Sequence, residues 1–420
     1  MHARLVLLAC AAGAVLLLPS CSDQTAPSNS SDRPSDPALA RQASPDDPNA
    51  LARGVPGFGG FYFDAQGAPT IYLKEAGRRG EAERALEPFL RARGLGAGQL
   101  RVRQGQYEWA DLERWFASAS AEVLAVPGAV LVDADEASNR VRIGVERGAA
   151  GRVGAALARV GMPAAAVIME EREPVTFAVG QGPRPKASPG SGSSLQGAFR
   201  PTIGGIQINF PGYLCTLGFN VGGGSFITNS HCTTTQGGTE GTPYWQPTST
   251  ASPTQIATEA ADPAYSSNLA GCPAGRVCRR SDASRAGYVN GTQSSVGQIA
   301  RTSRPGRSLT VTGRFTVRSE GSAVVGNVVN KVGRTTGWSQ GSVTNSCVNT
   351  NVSGSNVTQL CQTFVSATVG SGDSGSPVFR ITSGDDVSLV GILWGGSGAR
   401  SFVYSPLGQI EAELGNLTTF

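Results

Sequence analysis

Histidine and lysine are almost missing from this 420-residue chain, which has two of the first and three of the second. With so little histidine and no closely paired cysteines, the usual zinc ligand sets cannot be assembled, and no metal or cofactor is expected. Net charge is only +4, carried mainly by arginine. No basic run is interleaved with aromatics, so no nucleic-acid partner is expected. The first histidine, His2, lies in "MHARLVLLACAAGAVLLLPSC", two positive groups followed by an apolar run that ends at a small-residue site. That is the pattern of a signal peptide over residues 1–20, too short and too early for an ordinary spanning helix. "LLPSC" resembles a bacterial lipobox, which would place a lipid on Cys21; free secretion is the alternative, and both predict export. A mature chain would therefore keep one imidazole, His231, in "FITNSHCTTT".

The rest divides by composition. Residues 21–52 are Ser, Pro, Asp and Ala with few large apolar groups, and read as a tether. Residues 53–180 alternate strand and helix patterns: two strands in "FGGFYFD" and "PTIYLKE", helices in "EAERALEPFLRAR" and "EWADLERWFASA", a hairpin in "AVLVDADEASNRVRIGV". This is a small α+β domain. Residues 181–200 are a Pro/Gly/Ser linker open to proteolysis. From residue 201 short strand patterns follow each other closely, which argues for an all-β barrel or sandwich, with a helix only at "LGQIEAELGNL".

The six cysteines of this β-rich part, Cys215, Cys232, Cys272, Cys278, Cys347 and Cys361, are an even set in an exported chain and predict disulfides. Proximity in sequence pairs Cys272 with Cys278 and Cys347 with Cys361. In "VGSGDSGSPVF", glycines around Ser374 allow a turn that points a hydroxyl outward and aims the N–H groups of Gly372 and Ser374 at one spot. Such a serine needs a base, and His231 is the histidine available. No histidine follows Ser374, so the α/β-hydrolase order is excluded, and no aspartate lies between Asp135 and His231, so the subtilisin order is excluded. Histidine, aspartate, serine remains. Asp262 and Asp282 both lie between, and Asp282, at the entry to a strand pattern, is preferred over Asp262 beside Pro263.

"CTLGFNV", "FITNSHC", "KVGRTTGWSQGSV" and "GSGDSGSPVF", in that order, resemble the α-lytic protease and streptogrisin branch of chymotrypsin-fold serine endopeptidases. The resemblance spans about residues 201–420 and implies a double six-stranded β-barrel with a C-terminal helix. It implies a triad of His231, Asp282 and Ser374, an oxyanion hole at Gly372 and Ser374, and a Cys215–Cys232 disulfide. Lys331 falls where the branch has an arginine paired with the aspartate before the nucleophile, here Asp373. Thr368 stands where a carboxylate would select a basic residue, so cleavage after a neutral residue is expected. Trp394 and Gly395 match the edge that binds substrate backbone. The α+β domain is similar to the branch's propeptide, an inhibitor and folding assistant, and cleavage is expected between Pro185 and Ile203. Two departures stand out: Asn229-Ser230 before the histidine, and Leu393 where relatives carry a serine that supports the triad aspartate. The expected partners are peptide substrates and the chain's own propeptide, in a monomer. A non-catalytic binding protein or a serine esterase on the same fold are the alternatives.

Overall fold

The computed structural model describes residues 46–179 and 194–420, apart from Pro253, Asn290 and Arg304. The leader, Cys21, most of the expected tether and residues 181–193 lie outside the described residues.

In the first stretch, α1 (Pro48–Ala52), β1 (Phe58–Phe63), β2 (Pro69–Leu73), α2 (Arg79–Arg91), β3 (Arg101–Gln104), α3 (Trp109–Val123), β4 (Ala129–Asp135), β5 (Arg140–Val145), α4 (Ala150–Leu157), β6 (Val167–Glu171) and β7 (Val175–Phe177) follow in order. The helical spacing in α2 buries Ala82, Leu86, Phe89 and Leu90 on one face, where Phe89 meets Phe61 edge to face. Strands β1 and β2 pair antiparallel and β2 and β3 parallel; β4 and β5 form the expected hairpin, with β6 parallel to β5.

Two rings of strands follow. The first is built from β9 (Gln207–Phe210), β10 (Tyr213–Thr216), β11 (Phe219–Val221), β12 (Ser225–Thr228), β13 (Pro243–Tyr244), β14 (Ala257–Ala261) and β16 (Ser284–Tyr288), while β8 (Thr202–Gly204) and β15 (Val277–Arg279) lie in the same stretch of chain but pair outside this ring. "CTLGFNV" is one strand pattern that breaks between β10 and β11; β10 pairs with β9 and β11 with β12. The sheet runs on through β16 and β14 to β13 and returns to β9 through an Asn209–Trp245 bridge. Phe226, which pairs opposite Ala286 and meets Tyr244 edge to face, is fully buried with both in its core.

After β17 (Ser294–Thr302) and β18 (Val311–Glu320), the second ring is β19 (Val328–Gly333), β20 (Gly337–Asn351), β21 (Val357–Val365), β22 (Pro377–Ser383), β23 (Asp386–Ser397) and β24 (Phe402–Pro406). These run β20-β19-β22-β23-β24-β21, and a β21–β20 pairing closes the barrel. Helix α5 (Leu407–Leu414) ends the fold. The result is the expected all-β double barrel with its C-terminal helix.

Two boundaries differ from the sequence reading. Pro48–Ala52 is helical inside the expected tether. Leu195, inside the expected linker, is fully buried, and its N–H donates to Leu309 O at 2.9 Å. Apolar burial and a backbone bond outweigh the polar composition around it, so the β-rich body begins by Ser194. Nor are the α+β and β parts separate units, because the described residues of both belong to one compact body. Strand β4 adds to β20, and β7 adds to the edge of β23.

The β4–β20 seam is polar and sealed. Asn345 donates to Asp133 at 2.7 Å, Ser346 to Glu136 at 2.6 Å, and Asn349 to Ser120 at 3.0 Å. Burial raises the Asp133 carboxyl to about 8, with the neighbouring Asp135 charge adding to it. Burial likewise raises Glu136 well above the usual carboxylate range. A carboxyl raised by folding takes up a proton as the chain folds, so the folded form is favoured at low pH. That advantage declines from about pH 4 and is gone once pH has risen through the folded-state value. Urea denaturation of the uncut chain should therefore show stability falling between about pH 5 and about pH 8, and Asp133→Asn should flatten the fall. An unchanged slope in Asp133→Asn would show that this carboxyl is not the source.

Candidate active site

His231, Asp282 and Ser374 come together where the two barrels meet. Strand β12 ends at Thr228, and the next turn carries Asn229, Ser230 and His231. The Cys215–Cys232 disulfide ties this turn to β10. The other two pairs are also formed as expected, Cys272–Cys278 and Cys347–Cys361. Although Cys215, Cys232 and His231 are close together, both sulfurs are spent in the disulfide.

Asp282 is fully buried and faces His231: Oδ2 lies 2.5 Å from Nδ1, and Oδ1 accepts the His231 backbone N–H at 3.1 Å. On the other side of the ring, Nε2 is 2.8 Å from Ser374 Oγ. With Nδ1–H directed at the carboxylate, Nε2 is left as the acceptor for the serine proton. Asp262, the other aspartate weighed, is turned away from the imidazole. Its Oδ2 accepts from Ser230 Oγ at 2.8 Å, and its Oδ1 pairs with Arg279 at 2.7 Å.

The departures from the family pattern have structural work. Asn229 Nδ2 donates to Asp282 O at 2.6 Å. Leu393 is a buried apolar side chain, and hydroxyl support comes instead from Ser405, whose Oγ accepts the Asp282 N–H at 2.9 Å. Sequence reasoning missed Ser405 and also Glu413. The Glu413 carboxylate, on α5, accepts from Arg279 Nη2 at 3.0 Å, Arg280 N at 2.8 Å and Ser281 Oγ at 2.6 Å. Arg279 also donates to Ala283 O at 2.8 Å. The backbone on both sides of Asp282 is thus gripped from one helix. A glutamate in the last turn of an amphipathic helix carries no local sign of that role.

The turn at Ser374 is held from beneath by Asp373. Its carboxylate accepts Lys331 Nζ at 2.9 Å, Thr335 N at 2.9 Å, Thr336 N at 3.1 Å and Gly370 N at 3.0 Å. Burial alone would raise this carboxyl, but Lys331 and these donors hold it below the usual range. Lys331 is fully buried, and burial lowers its amine from the ordinary value. A Cβ on Gly333 would come within 2.5 Å of Asp373 Oδ1, so only glycine fits there. Gly372 takes φ +97°, which presents its N–H toward the Ser374 side.

The site already holds a strand. Residues Val175–Phe177 pair antiparallel with β23, Phe177 opposite Gly395 and Thr176 opposite Gly396. Ala178 N donates to Trp394 O at 3.1 Å, and Ala178 O accepts from Gly372 N at 2.5 Å and Ser374 N at 3.4 Å. The Phe177 ring stacks on His231 with centroids 4.4 Å apart. A Cβ on Gly395 would meet Thr176 O at 2.7 Å, so the bare glycine lets the strand approach. Trp394 and Gly395 thus lie on this edge as expected, whereas Thr368 contributes its carbonyl to Ser339 Oγ at 3.1 Å.

No family model matches the chain, and no curated protein matches it. Among solved structures, a chymotrypsin from Cellulomonas bogoriensis is 24% identical, covers 52% of this chain and 97% of its own length, and superposes with a TM-score of 0.38. Protease A from Thermobifida fusca is 23% identical over 52% of this chain and 98% of its own, with a TM-score of 0.38. An α-lytic protease homologue called N4 is 21% identical over 52% of this chain and 99% of its own, with a TM-score of 0.39.

Lys331→Met should leave Asp373 as an unpaired buried charge and cost about 3–5 kcal/mol of stability, read by chemical denaturation. A loss under about 1 kcal/mol would show that the backbone donors alone suffice.

Proposed function

We propose that the chain is an exported serine endopeptidase made as a zymogen, with the α+β part up to Ala178 as its inhibitory and folding-assisting propeptide. The observation that carries this reading is a peptide carbonyl, that of Ala178, received by Gly372 and Ser374 N–H groups beside a linked Asp282–His231–Ser374 set. In the reaction, His231 Nε2 takes the Ser374 proton as Oγ bonds to the carbonyl carbon. The oxygen becomes an oxyanion held by the two N–H groups. Asp282 stabilises the imidazolium, which then protonates the leaving amine as the C–N bond breaks. Water repeats the sequence on the acyl-enzyme and frees the carboxylate.

The bond so presented in this chain is Ala178–Val179, upstream of the window expected from the linker composition. Cutting there would free the strand from β23 and open the site. A seated peptide strand favours a peptidase over an esterase, and the linked triad favours catalysis over passive binding. The three disulfides are compatible with export. No described helix is long and apolar enough to cross a membrane. We assign membrane attachment, if the lipobox is used, to Cys21.

A fluorophosphonate probe should label the purified protein, and Ser374→Ala should abolish labelling. Intact mass should place a new amino terminus at Val179 in the wild type, with Ser374→Ala remaining uncut. Labelling that survives Ser374→Ala, or none in the wild type, overturns the serine-peptidase reading.

A further inference from the structure

The four residues seated on β23 are buried unequally, and each meets a different chemistry. Val175 is 1% exposed and lies in an apolar cluster with Trp394, Val348, Val352 and Phe364. Its carbonyl accepts Ser353 N–H at 2.8 Å, so it is gripped on the flank away from β23 as well. Thr176 is exposed, with no surface set to read its side chain. Phe177 lies face to face with His231 at an interplanar angle of 27°, and edge to face with Trp394 at 5.9 Å. Ala178 is 7% exposed and belongs to a hydrophobic cluster that includes Val365, Val369 and Leu393. Val369 also packs on the β23 edge: its Cγ1 is 2.8 Å from where a Cβ on Gly396 would stand. Val369, next to the Thr368 singled out from the sequence, thus shares a buried cluster with Ala178 and stands against the strand that carries it.

Resting on the serine-peptidase reading, we propose that this site selects substrates with an aliphatic residue, any residue, an aromatic residue and then alanine or glycine before the cut, as written in Val175–Ala178. The aromatic has a catalytic consequence. His231 becomes an imidazolium in the transition state, and a cation is drawn to an aromatic face more strongly than a neutral ring is. The stacked ring also keeps water from the His231–Asp282 pair. An interaction that strengthens as charge develops raises kcat more than it lowers KM. Ala178 is almost wholly buried, so a larger side chain at the scissile position needs its cluster, Val369 included, to give way. A charged one would lose its hydration in an apolar pocket without a partner.

The test uses processed wild-type enzyme, titrated with a fluorophosphonate, on quenched-fluorescence peptides built on Pro-Val-Thr-Phe-Ala-Val-Gly-Gln. Replacing the Phe by Ala should lower kcat roughly 3- to 30-fold with KM within about twofold. Replacing the Ala before the cut by Phe or Arg should lower kcat/KM by about 100-fold or more, and replacing Thr by Lys should change it by less than about threefold. In the enzyme, Val369→Ala should raise cleavage after Leu or Met relative to Ala. Equal rates with Phe and Ala at the penultimate position, or faster cleavage after Phe or Arg than after Ala, would overturn the proposal while probe labelling left the peptidase reading intact. Absence of labelling would remove both.

Discussion

The buried pair of Lys331 and Asp373 is the constraint on which the site depends. Neither side chain touches solvent, so neither charge can be dropped without leaving the other stranded. The carboxylate is saturated by Lys331 and three backbone donors on two loops, and Thr336 Oγ1 adds a further bond. This fixes the turn around Asp373, whose flanking residues Gly372 and Ser374 supply the two N–H groups around Ala178 O, and it aims the Ser374 hydroxyl. The geometry is set before any substrate arrives, as electrostatic preorganisation requires.

The imidazole and carboxylate come from the other barrel and depend on a second buried network. Glu413, Arg279 and Asp262 run from the C-terminal helix to Ser230, the residue before His231. Burial raises Asp262, while Arg279 and Ser230 act against that rise. Arg279 is pinned between two carboxylates, with its planar fork spread over Asp262, Glu413 and Ala283 O. The last helix is therefore tied to the position of Asp282, although it lies outside both rings.

Much of this was legible in the sequence because chemistry of this kind needs rare residues in a fixed order. One histidine ahead of one glycine-framed serine left few arrangements, and proximity in sequence paired Cys272 with Cys278 and Cys347 with Cys361, whereas Cys215–Cys232 came from the resemblance. Strand patterns gave the β class, and the helix of the tail was plain from its apolar period. What stayed hidden was long-range. Asp282 could be preferred over Asp262 only by local context, since their different partners come from segments far along the chain. Ser405 and Glu413 look like ordinary polar residues until the barrel closes. The linker was drawn too far, because Leu195 is one apolar residue in a polar stretch and its burial depends on Leu309. Above all, "PVTFAVG" reads as a plain strand end; only pairing with β23 shows that it fills the site.

The same pairing bears on how the protein avoids sticking to itself. An open sheet edge is a template for aggregation, and the β23 edge is apolar and glycine-rich around Trp394-Gly395-Gly396. While residues 175–177 lie along it, that edge is closed to other chains. The second seam, β4 on β20, covers a stretch of Asn345, Asn349, Thr350 and Asn351, whose polar side chains would be readily hydrated if bared. The two edges therefore differ in hazard: the polar one would be readily wetted if bared, whereas the sticky one is kept from other chains by the strand that lies along it.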